Sequence, residues 1–571
     1  EIDWDVSSRT PYPHQKVGVE WAVGLINQAS QSLEDPVRVQ GALLADDMGL
    51  GKTYMSLIAI NEYYRRLSEQ DKTLKPILVI APLSLLENWK DEVETTFKSS
   101  PFSDVQILQS GKDLHKFRVE GVQRESVQLN AQQPLNDGKE LGSDHAPEIR
   151  FALHVGKEAG PKRLDMPKRL VIATYDTLRS YQFSLCKVDW GLVLFDEAQN
   201  VKNPNTLQTR AAKALKADFK LLITGTPVEN SLADFWCLMD TAQPGLLGEW
   251  PVVLENWVSP IVRAKAEEKE ATRFEVGERL RKAVGNFMLR RTKEEELPGL
   301  PTKRSYVGIK FIQNDTSVEQ LDYLAQHMKD EQLSAYDGIL ENYQKQKLAE
   351  EKGIALSALA NLRNIRLHDN LVTKQTLQIS GKSQSINFID KSAKLTALKI
   401  VLDEIKNKDE KAIIFVISKR MQLLLKQVLD VLFGLNINII NGDTKTVASA
   451  RNEESSTRKG MIEEFEAKQG FNIIIMSPIA AGVGLTIVGA NHVIHLERHW
   501  NPAKEAQATD RVYRIGQKKD VCIYYPFSLH PNKQSFDEHL ALLLSRKQLL
   551  KEAVITTEPV KESEIANGIF A

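Results

Sequence analysis

The sequence predicts an α/β protein with two lobes, each built on a parallel sheet covered by helices. Its 571 residues exceed the usual size of one domain, and a chain of this length is expected to form roughly two to four. Short apolar segments alternate with helix-length segments in two series, which is typical of parallel sheets buried on both faces. A hydrophobic content of 42% and a charged content of 26% exclude a mostly disordered chain.

The two series of strands are predicted from short apolar, often β-branched runs. The first series comprises Pro76–Ala81, Leu170–Thr174, Leu192–Phe195 and Leu221–Thr224. The second comprises Ala412–Ser418, Ile437–Ile440, Asn472–Ser477, His492–Leu496 and Val521–Tyr525, with helices such as Met421–Phe433 between them. The uncharged stretch Ile473–Ala490 is as long as a membrane span, but it divides into a strand and a glycine-rich loop, so a buried strand is predicted.

The composition along the chain predicts three regions. Residues 1–300 form the first lobe, 301–385 a helical protrusion and linker, and 386–571 the second lobe with a C-terminal helix. Two insertions are expected in the first lobe: a polar one at about 109–168, with mobile parts, and a helical one at about 232–290. The second assignment rests on the richness of 232–364 in Glu, Lys, Gln, Ala and Leu.

Charge and cysteine content limit the partners and the compartment. The 74 Lys and Arg residues balance 75 Asp and Glu residues, so a nucleic-acid partner requires a local basic face. Three cysteines cannot form a disulfide framework, which favours a reducing cytoplasm. The first residue is Glu1, and neither an initiator Met nor a signal peptide is present, so we expect the chain to be cut from a longer protein.

The strongest local motif is the run from Gly41 to Thr53, which ends in Gly51-Lys52-Thr53. In a phosphate-binding loop, glycines let the backbone wrap phosphate oxygens, a Lys reaches the β- and γ-phosphates, and a hydroxyl binds Mg²⁺. The strict pattern has Gly five positions before Gly51, where this chain has Asp46. The tripeptide alone is a weak signal, and it gains weight from a second motif.

That second motif is a pair of adjacent carboxylates, Asp196 and Glu197, at the end of the apolar strand Leu192–Phe195. Acidic pairs usually lie in solvated loops, but this pair closes a buried strand. Such a pair can hold Mg²⁺ through Asp196 and orient and deprotonate a water through Glu197.

The third motif, Gln507–Gln517, carries two arginines far along the chain. Arg511 and Arg514 are three residues apart, so in a helix they lie on one face and can both bind a γ-phosphate as arginine fingers. The same spacing also suits a surface salt-bridge face. A phosphate-binding lobe elsewhere in the chain favours the first interpretation.

Further motifs occur in order through nearly the whole chain. In the first half they are Pro13-His14-Gln15 with Gly18 and Trp21, Asp46–Thr53, Ala81–Trp89, Thr174–Leu178, Asp196–Gln199 with Lys202-Asn203, Thr224–Pro227 with Glu229-Asn230, and Leu289-Arg290-Arg291. In the second half they are Gly484-Leu485-Thr486, Trp500-Asn501-Pro502 and Gln507–Gln517. This order resembles the SWI/SNF-type ATPases of helicase superfamily two. The Asp-Glu-Ala-Gln form and the run Pro244–Gly248 resemble bacterial members most.

The resemblance implies two RecA-like lobes that close on ATP and Mg²⁺, and it implies roles for individual residues. Gln15 reads the adenine, and Gln199 couples the γ-phosphate to the second lobe. The residues implied at ATP are Gln15, Asp46, Met48, Gly49, Leu50, Gly51, Lys52, Thr53, Gly484, Arg511 and Arg514. Those implied in catalysis are Lys52, Asp196, Glu197, Gln199, Arg511 and Arg514, with Thr53 and Asp196 at the metal.

The resemblance also implies contacts to a nucleic-acid backbone. The implied residues are Ser84, Asn88, Thr174 and Thr226 in the first lobe, and Ser418, Ser477, Trp500 and Asn501 in the second. Hydroxyls and amides bind phosphates without reading sequence. Two alternatives stay open: Trp500 is also compatible with a core aromatic, and Thr174 and Thr226 with strand-end caps.

Three features depart from the family pattern. Thr486 stands where Asn is usual and Glu497 where Asp is common, which leaves the nucleotide chemistry intact but affects the expected coupling. The 109–168 insertion is longer than expected. It is either a binding site for a specific protein partner or a solvated decoration.

The resemblance implies a DNA-stimulated ATPase that moves along double-stranded DNA to remodel protein–DNA complexes or to power a larger DNA-processing or defence machine. The predicted location is bacterial, cytoplasmic and nucleoid-associated, with no membrane partner; protein partners are expected through a preceding region or the 109–168 insertion. An RNA or single-strand helicase and an ATP-gated nucleic-acid-binding module are the alternatives.

Overall fold

The computed structural model describes residues 1–31, 38–131, 149–226, 232–265, 268–311, 315–348, 354–445, 457–481, 485–553 and 561–570. The chain forms two compact units, of which the first spans Glu1–Glu296 and the second begins at Leu297. Each unit has its own parallel sheet and its own hydrophobic core.

The first unit contains a seven-stranded sheet in the order β3-β4-β2-β5-β6-β1-β7, and every neighbouring pair is parallel. Its strands are β1 Gly41–Leu44, β2 Ile77–Ile80, β3 Asp104–Leu108, β4 Arg169–Ala173, β5 Asp189–Phe195, β6 Lys216–Ile223 and β7 Met288–Leu289. Strands β1, β2 and β4 are buried along their whole length because helices cover both faces of the sheet.

Thirteen α-helices of the first unit lie within the described residues. They are α1 Pro13–Gln31, α2 Lys52–Glu69, α3 Leu86–Thr96, α4 Leu114–Phe117, α5 Glu125–Ala131, α6 Tyr175–Ser180, α7 Gln182–Lys187, α8 Leu207–Ala214, α9 Leu232–Ala242, α10 Trp250–Val253, α11 Ser259–Arg263, α12 Lys269–Val284 and α13 Lys293–Glu296. Because α2 follows β1 directly and β5 lies two strands from β1, the loops after β1 and β5 open at the same edge of the sheet.

The second unit contains another seven-stranded parallel sheet, in the order β12-β13-β11-β14-β15-β8-β9, and a short parallel pair, β10 with β16. Its strands are β8 Lys303–Val307, β9 Val318–Gln320, β10 Ala325–His327, β11 Lys411–Phe415, β12 Asn438–Ile440, β13 Asn472–Met476, β14 His492–His495, β15 Val521–Tyr525 and β16 Phe527–Leu529. Its helices are α14 Asp330–Leu348, α15 Ile354–Ile365, α16 Asn370–Thr373, α17 Lys382–Asp390, α18 Ala393–Asn407, α19 Lys419–Phe433, α20 Arg458–Ala467, α21 Pro478–Ala481, α22 Pro502–Thr509, α23 Phe536–Ala553 and α24 Glu562–Phe570.

Helix α19 shows how the sequence sets one element. Ser418 accepts a hydrogen bond from the backbone N–H of Met421 and caps the first turn, and Gly434 ends the helix with a φ of 68°. Between these ends, buried apolar residues recur at helical spacing: Met421, Leu424, Leu425, Val428, Leu429 and Leu432. The helix therefore packs one face onto the second sheet.

The fold class is confirmed, and a structural strand lies in each of the nine segments predicted as strands. The expectation of a helical protrusion and linker over 301–385 is corrected, since this segment also supplies β8 and β9 to the second sheet. The first residues of β8, Lys303 and Arg304, are exposed, and this charged strand has little of the apolar character from which strands were predicted.

The described flanks of the 109–168 insertion pack against the first sheet. Phe117, Val122, Leu153 and Leu164 are buried in its core. Glu125, which is fully buried, accepts hydrogen bonds from the backbone N–H groups of Ala152, Phe183 and Ser184. Residues 132–148 lie outside the described part of the chain.

No helix in the described ranges has both the length and the apolar character needed to span a bilayer. The uncharged stretch Ile473–Ala490 begins with β13, whose five residues are all buried, and continues into the short helix α21. Its first part is therefore a core strand, as predicted.

Candidate ATP-binding site and nucleic-acid contacts

The loop between β1 and α2 has the backbone shape of a phosphate-binding loop. Gly49 and Gly51 adopt left-handed conformations with φ values of 91° and 88°, which only glycine adopts readily. At Gly51 there is also no room for a side chain, because a Cβ there would lie 2.3 Å from Nε2 of Gln15. Met48 and Leu50 of the loop are buried, and Thr53 lies in the first turn of α2, partly buried.

Lys52 is the first residue of α2, and its ammonium group is held inside the loop. Its Nζ donates hydrogen bonds to the backbone carbonyls of Asp46 at 2.7 Å and of Asp47 at 3.0 Å. Burial lowers the pKa of Lys52, and the charges of Asp46, Glu197 and Asp196 oppose that shift. An incoming phosphate would offer the same ammonium group a charged acceptor in place of two carbonyls.

Gln15 lies at the start of α1 and is tied to the same loop. Its Nε2 donates to the carbonyl of Leu50 at 3.3 Å, and its Oε1 accepts from the backbone N–H of Tyr12 at 3.0 Å. The Nε2 atom of His14 also lies 2.9 Å from the carbonyl of Leu50. The structure thus brings Gln15 to the phosphate loop, and its implied contact with the base of a nucleotide stays a prediction.

Asp46, which replaces the glycine of the strict pattern, does not present its side chain to the phosphate position. It is completely buried and forms an ion pair with Arg291, whose Nε and Nη2 lie 3.2 and 2.5 Å from the two carboxylate oxygens. Arg291 uses both carboxylate oxygens, so the side chain of Asp46 has a structural contact here, and a contact of Asp46 with ATP stays a prediction.

Asp196 lies at the end of β5 with both of its oxygens hydrogen-bonded. The indole N–H of Trp89 donates to Oδ2 at 2.9 Å, and the backbone N–H of Glu197 donates to Oδ1 at 2.9 Å. The hydroxyl of Tyr175 donates to the Asp196 carbonyl at 2.7 Å. Desolvation and the charge of Glu197 raise the pKa of Asp196 to about 6, while the hydrogen bond from Trp89 opposes that rise.

Glu197 begins a hydrogen-bonded path through the site. Its backbone has a φ of 49°, a left-handed conformation that is unfavourable for a residue with a side chain. Gln199 donates from Nε2 to the Glu197 carboxylate at 2.6 Å, and Thr224 donates its hydroxyl to Oε1 of Gln199 at 2.8 Å. The path continues to Thr226, whose backbone N–H donates to the Thr224 hydroxyl at 3.0 Å.

The end of β6 closes the site against the phosphate loop. A Cβ on Gly225 would lie 3.9 Å from Nζ of Lys52 and 3.8 Å from the backbone nitrogen of Met48. Lys52, Glu197, Gln199 and Thr224 therefore share one pocket of the first unit.

The donors in this pocket fit Mg²⁺ together with a phosphate chain. Mg²⁺ in nucleotide sites is held by one or two protein oxygens plus phosphates and water. Asp196 and Thr53 would supply such oxygens, and a nearby cation would favour the charged form of the Asp196 carboxylate against the desolvation that raises its pKa. Within the described ranges no cluster of three His, Cys, Asp or Glu side chains could hold a metal alone.

The second unit places Arg511 and Arg514 after α22, which ends at Thr509. The expected helical face is corrected, because the backbone turns here: the N–H of Val512 bonds the carbonyl of Thr509, and Gly516 has a φ of 101°. Arg511 is buried, and Arg514 donates to the Thr486 hydroxyl at 2.7 Å. Gly484 lies outside the described residues.

Three of the residues expected to contact nucleic acid cap helices. Thr174, Ser418 and Asn501 accept hydrogen bonds from the first-turn backbone N–H groups of α6, α19 and α22. A capping oxygen is already used by its helix, so the structure supports the cap interpretation for Thr174.

The other expected contacts differ in accessibility. Trp500 packs against Phe536 at 6.2 Å between ring centroids, beneath the guanidinium of Arg363. The hydroxyl oxygen of Ser84 is shielded from solvent, whereas Asn88, Thr226 and Ser477 are partly exposed. Trp500 is itself partly exposed, so contact with nucleic acid stays a prediction for Trp500 as it does for Asn88, Thr226 and Ser477.

Glu497, one of the departures from the family pattern, accepts hydrogen bonds at both of its carboxylate oxygens. Its Oε2 accepts from the backbone N–H groups of Ile417 and Ser418, both at 2.9 Å, and its Oε1 accepts from Arg363 at 3.0 Å. The longer carboxylate therefore fixes the turn before α19. Thr486, the other departure, is the acceptor for Arg514.

Sequence reasoning did not assign Trp89, Tyr175, Thr224 and Arg291 to the site. All four lie within motifs singled out for other reasons. Their roles depend on contacts between segments far apart in sequence, such as Trp89 with Asp196, and spacing alone does not show such contacts.

The chain matches the models of two protein families. Residues 14–371, more than half of the chain, match the SNF2-related domain. Residues 393–516 match the helicase conserved C-terminal domain. The first match begins in α1 and the second in α18. The first match covers most of the first unit and extends into the second unit as far as residue 371, whereas the second match lies wholly in the second unit.

Several proteins are similar over nearly the whole chain. The Zorya protein ZorD of Escherichia coli is 34% identical over 96% of this chain and 45% of its own length. YwqA of Bacillus subtilis, named as a candidate ATP-dependent helicase/translocase, is 29% identical over 96% of this chain and 49% of its own length. The chain therefore spans slightly less than half of either relative.

The Sulfolobus solfataricus SWI2/SNF2 ATPase core in complex with dsDNA is 24% identical, over 96% of this chain and 94% of that one, with a TM-score of 0.38. The score is too low to add to the family matches, which by themselves decide the assignment. The chain belongs to the SNF2-related, helicase-type ATPases, the SWI/SNF-like family that its motifs resemble.

Proposed function

We propose that this chain hydrolyses ATP in response to double-stranded DNA and uses the cycle to move along the duplex. The observation that carries the proposal is the hydrogen-bonded path from Glu197 through Gln199 to Thr224, beside Lys52 in one pocket. This path joins a general base to a neighbouring loop that carries Thr226, one of the accessible polar candidates for nucleic acid.

In the proposed reaction, Glu197 orients a water molecule and accepts its proton as the water oxygen attacks the γ-phosphorus. The bond from that phosphorus to the bridging oxygen breaks, and ADP and phosphate are released. Lys52 stabilises charge on the phosphate oxygens. Mg²⁺, when bound, neutralises charge on the phosphate chain, and Asp196 and Thr53 are the residues to hold it.

Gln199 is proposed to sense the γ-phosphate because it already bonds both Glu197 and Thr224. Arg511 and Arg514 belong to the second unit, and their contribution to hydrolysis is proposed from the family resemblance. Movement along DNA needs no base reading, since backbone N–H groups and hydroxyls bind phosphates regardless of sequence.

The choice of duplex DNA rests on family membership and on the Trp500-Asn501-Pro502 motif, which favour the duplex-tracking branch over RNA helicases. YwqA, named as a candidate helicase/translocase, supports movement on nucleic acid as the use of the cycle. On the basis of family membership we also propose that the chain remodels protein–DNA complexes or works in a defence machine. We propose further that it has partners at the 109–168 insertion and a cytoplasmic, nucleoid-associated location.

The test compares ATP turnover with duplex DNA, single-stranded DNA and RNA of equal length. The expected result is strong stimulation by the duplex alone, with Glu197→Gln protein as the control for contaminating ATPases. Stimulation by RNA or single strands in preference to the duplex would favour the helicase alternative. Binding of ATP and DNA without turnover would favour the ATP-gated binding module.

A further inference from the structure

A segment far from the phosphate loop in sequence forms one wall of that loop. Residues 289–293 run beside it, with the carbonyl of Leu289 accepting from the N–H of Ala45 at 2.7 Å and the carbonyl of Arg291 from the N–H of Asp47 at 2.9 Å. In addition, the N–H of Lys293 bonds the Asp47 carboxylate at 3.3 Å. The segment continues β7, so the loop is hydrogen-bonded as if it were part of the sheet edge.

Arg291 connects this segment to its neighbours through hydrogen bonds from all three of its guanidinium nitrogens. Nε and Nη2 hold the buried carboxylate of Asp46, and Nη1 donates to the carbonyl of His14 at 2.6 Å. The residue therefore connects the phosphate loop with the start of α1, where Gln15 lies. Gly18 leaves the space for it, because a Cβ there would lie 2.9 Å from Nη2 of Arg291.

The contact of Arg291 with Asp46 is important because of the residue type at position 46. In the strict pattern a glycine stands here, and its freedom lets the backbone wrap the phosphates. In this chain the same position carries a charge that is 0% exposed, and burying it is costly unless it is paired. The pairing orients the backbone of residues 46 and 47, whose carbonyls hold the ammonium group of Lys52.

We propose that Arg291 is a positioning residue for ATP binding, which fixes the shape of the phosphate loop through Asp46 and His14. It does not touch ATP itself. The inference rests on the proposed use of this loop for ATP. It adds a residue that lies 239 positions after Lys52 in sequence, close to the end of the first unit.

The first unit offers a matched control in Arg65. Its Nε and Nη2 hold the carboxylate of Glu62, which is also 0% exposed, and Nη2 bonds the backbone carbonyl of Glu1. Arg65 lies thirteen residues after Lys52 on α2, about 20 Å along the helix. Replacing either arginine with Met breaks a pair with a buried carboxylate, but only Arg291 borders the phosphate loop.

The experiment titrates full-length wild type, Arg291→Met and Arg65→Met with a non-hydrolysable ATP analogue and Mg²⁺, without DNA and well below each unfolding midpoint. Both variants are expected to unfold at lower temperature than wild type. Arg291→Met should raise the Kd of the analogue by about tenfold or more, as typically follows loss of a residue that supports a ligand-binding group. Arg65→Met should stay within about twofold of wild type.

Turnover provides a second measurement, because a misplaced loop weakens ground-state and transition-state binding alike. Arg291→Met should raise the KM for ATP while kcat changes little. Arg291→Lys, which keeps the charge but cannot bond all three partners, should fall between wild type and Arg291→Met, and it replaces that variant if Arg291→Met does not fold.

Wild-type Kd and KM in the folded Arg291 variants, or equal losses in the Arg65 control, would overturn the proposal. Failure of wild type itself to bind the analogue would overturn the proposed function instead.

Discussion

At the scale of the residue, the chemistry concentrates in the few side chains at the ends of β1, β5 and β6. Asp196 and Glu197 are adjacent in sequence, yet their surroundings differ. Asp196 is held by Trp89 and by a backbone N–H, whereas Glu197 bonds the amide of Gln199. The difference suits one carboxylate for holding a cation and the other for accepting a proton.

Two substitutions separate binding from hydrolysis. Glu197→Gln should keep ATP affinity and abolish turnover, because the amide keeps the shape but cannot accept the proton of the attacking water. Lys52→Ala should weaken ATP binding itself, since it removes the ammonium group from the loop. Nucleotide titration beside a steady-state ATPase assay measures both effects. Equal loss of ATP binding in the two variants would contradict this division of roles.

Trp89 gives a prediction about pH. Its indole hydrogen bond favours the charged form of Asp196, so Trp89→Phe should raise the pKa of that carboxyl above about 6. Turnover that needs the charged form falls as pH drops through this pKa, and the acid limb of kcat/KM against pH should therefore move to higher pH in the variant.

A downward shift of the acid limb, or none, would show that Trp89 only fills space. Tyr64→Phe is a suitable control because its hydroxyl bonds the carbonyl of Lys75 in the same core, away from the carboxylates. Its acid limb should coincide with that of wild type.

Motifs revealed part of this site from sequence alone. Local patterns predict Lys52, Asp196 and Glu197, the family resemblance adds Gln199, and the structure brings all four together. The resemblance also implies Asp46 at ATP, and the structure pairs its carboxylate with Arg291. No local pattern shows that a residue 245 positions away neutralises it.

At the scale of the element, the polar insertion of the first unit is held by one buried carboxylate. Glu125 at the start of α5 accepts from three backbone N–H groups, of which two lie in the first turn of α7. The contact therefore joins the insertion to α7. The polar composition of the insertion predicts mobile parts. Its irregular segments lack a regular alternation of apolar and polar residues, so the sequence does not show which of its residues are buried.

Substitution of Glu125 tests this attachment. Glu125→Gln places amide hydrogens against the backbone donors, and each orphaned donor costs roughly 1–3 kcal/mol. We expect a lower free energy of unfolding and faster hydrogen exchange in 150–164 and 182–187. Glu158→Gln, which breaks an exposed pair with Lys187, should change either measurement very little. Equal effects of the two substitutions would contradict an anchoring role.

Elements with regular apolar patterns were the predictable ones. The predicted strand Leu192–Phe195 lies within β5, and Met421–Phe433 lies within α19. The short loop after α22 was mistaken for more helix, because Arg511 and Arg514 have helical spacing and the turn that separates them from α22 depends on backbone bonds near Gly516.

At the scale of the whole molecule, the chain combines two units with separate cores, and the predicted ATPase residues are divided between them. Lys52, Asp196 and Glu197 lie in the first unit, and Arg511 and Arg514 in the second. We propose that hydrolysis depends on both units. An arginine that stabilises the transition state of phosphoryl transfer is worth about 10³-fold or more in turnover.

The most direct measurement is steady-state ATP turnover of Arg511→Ala and Arg514→Ala at saturating duplex DNA. We expect turnover to fall by about 10³-fold in each variant, with DNA affinity nearly unchanged and ATP affinity reduced only modestly. Near-normal turnover in both variants would contradict the proposal, because hydrolysis would then depend on the first unit alone.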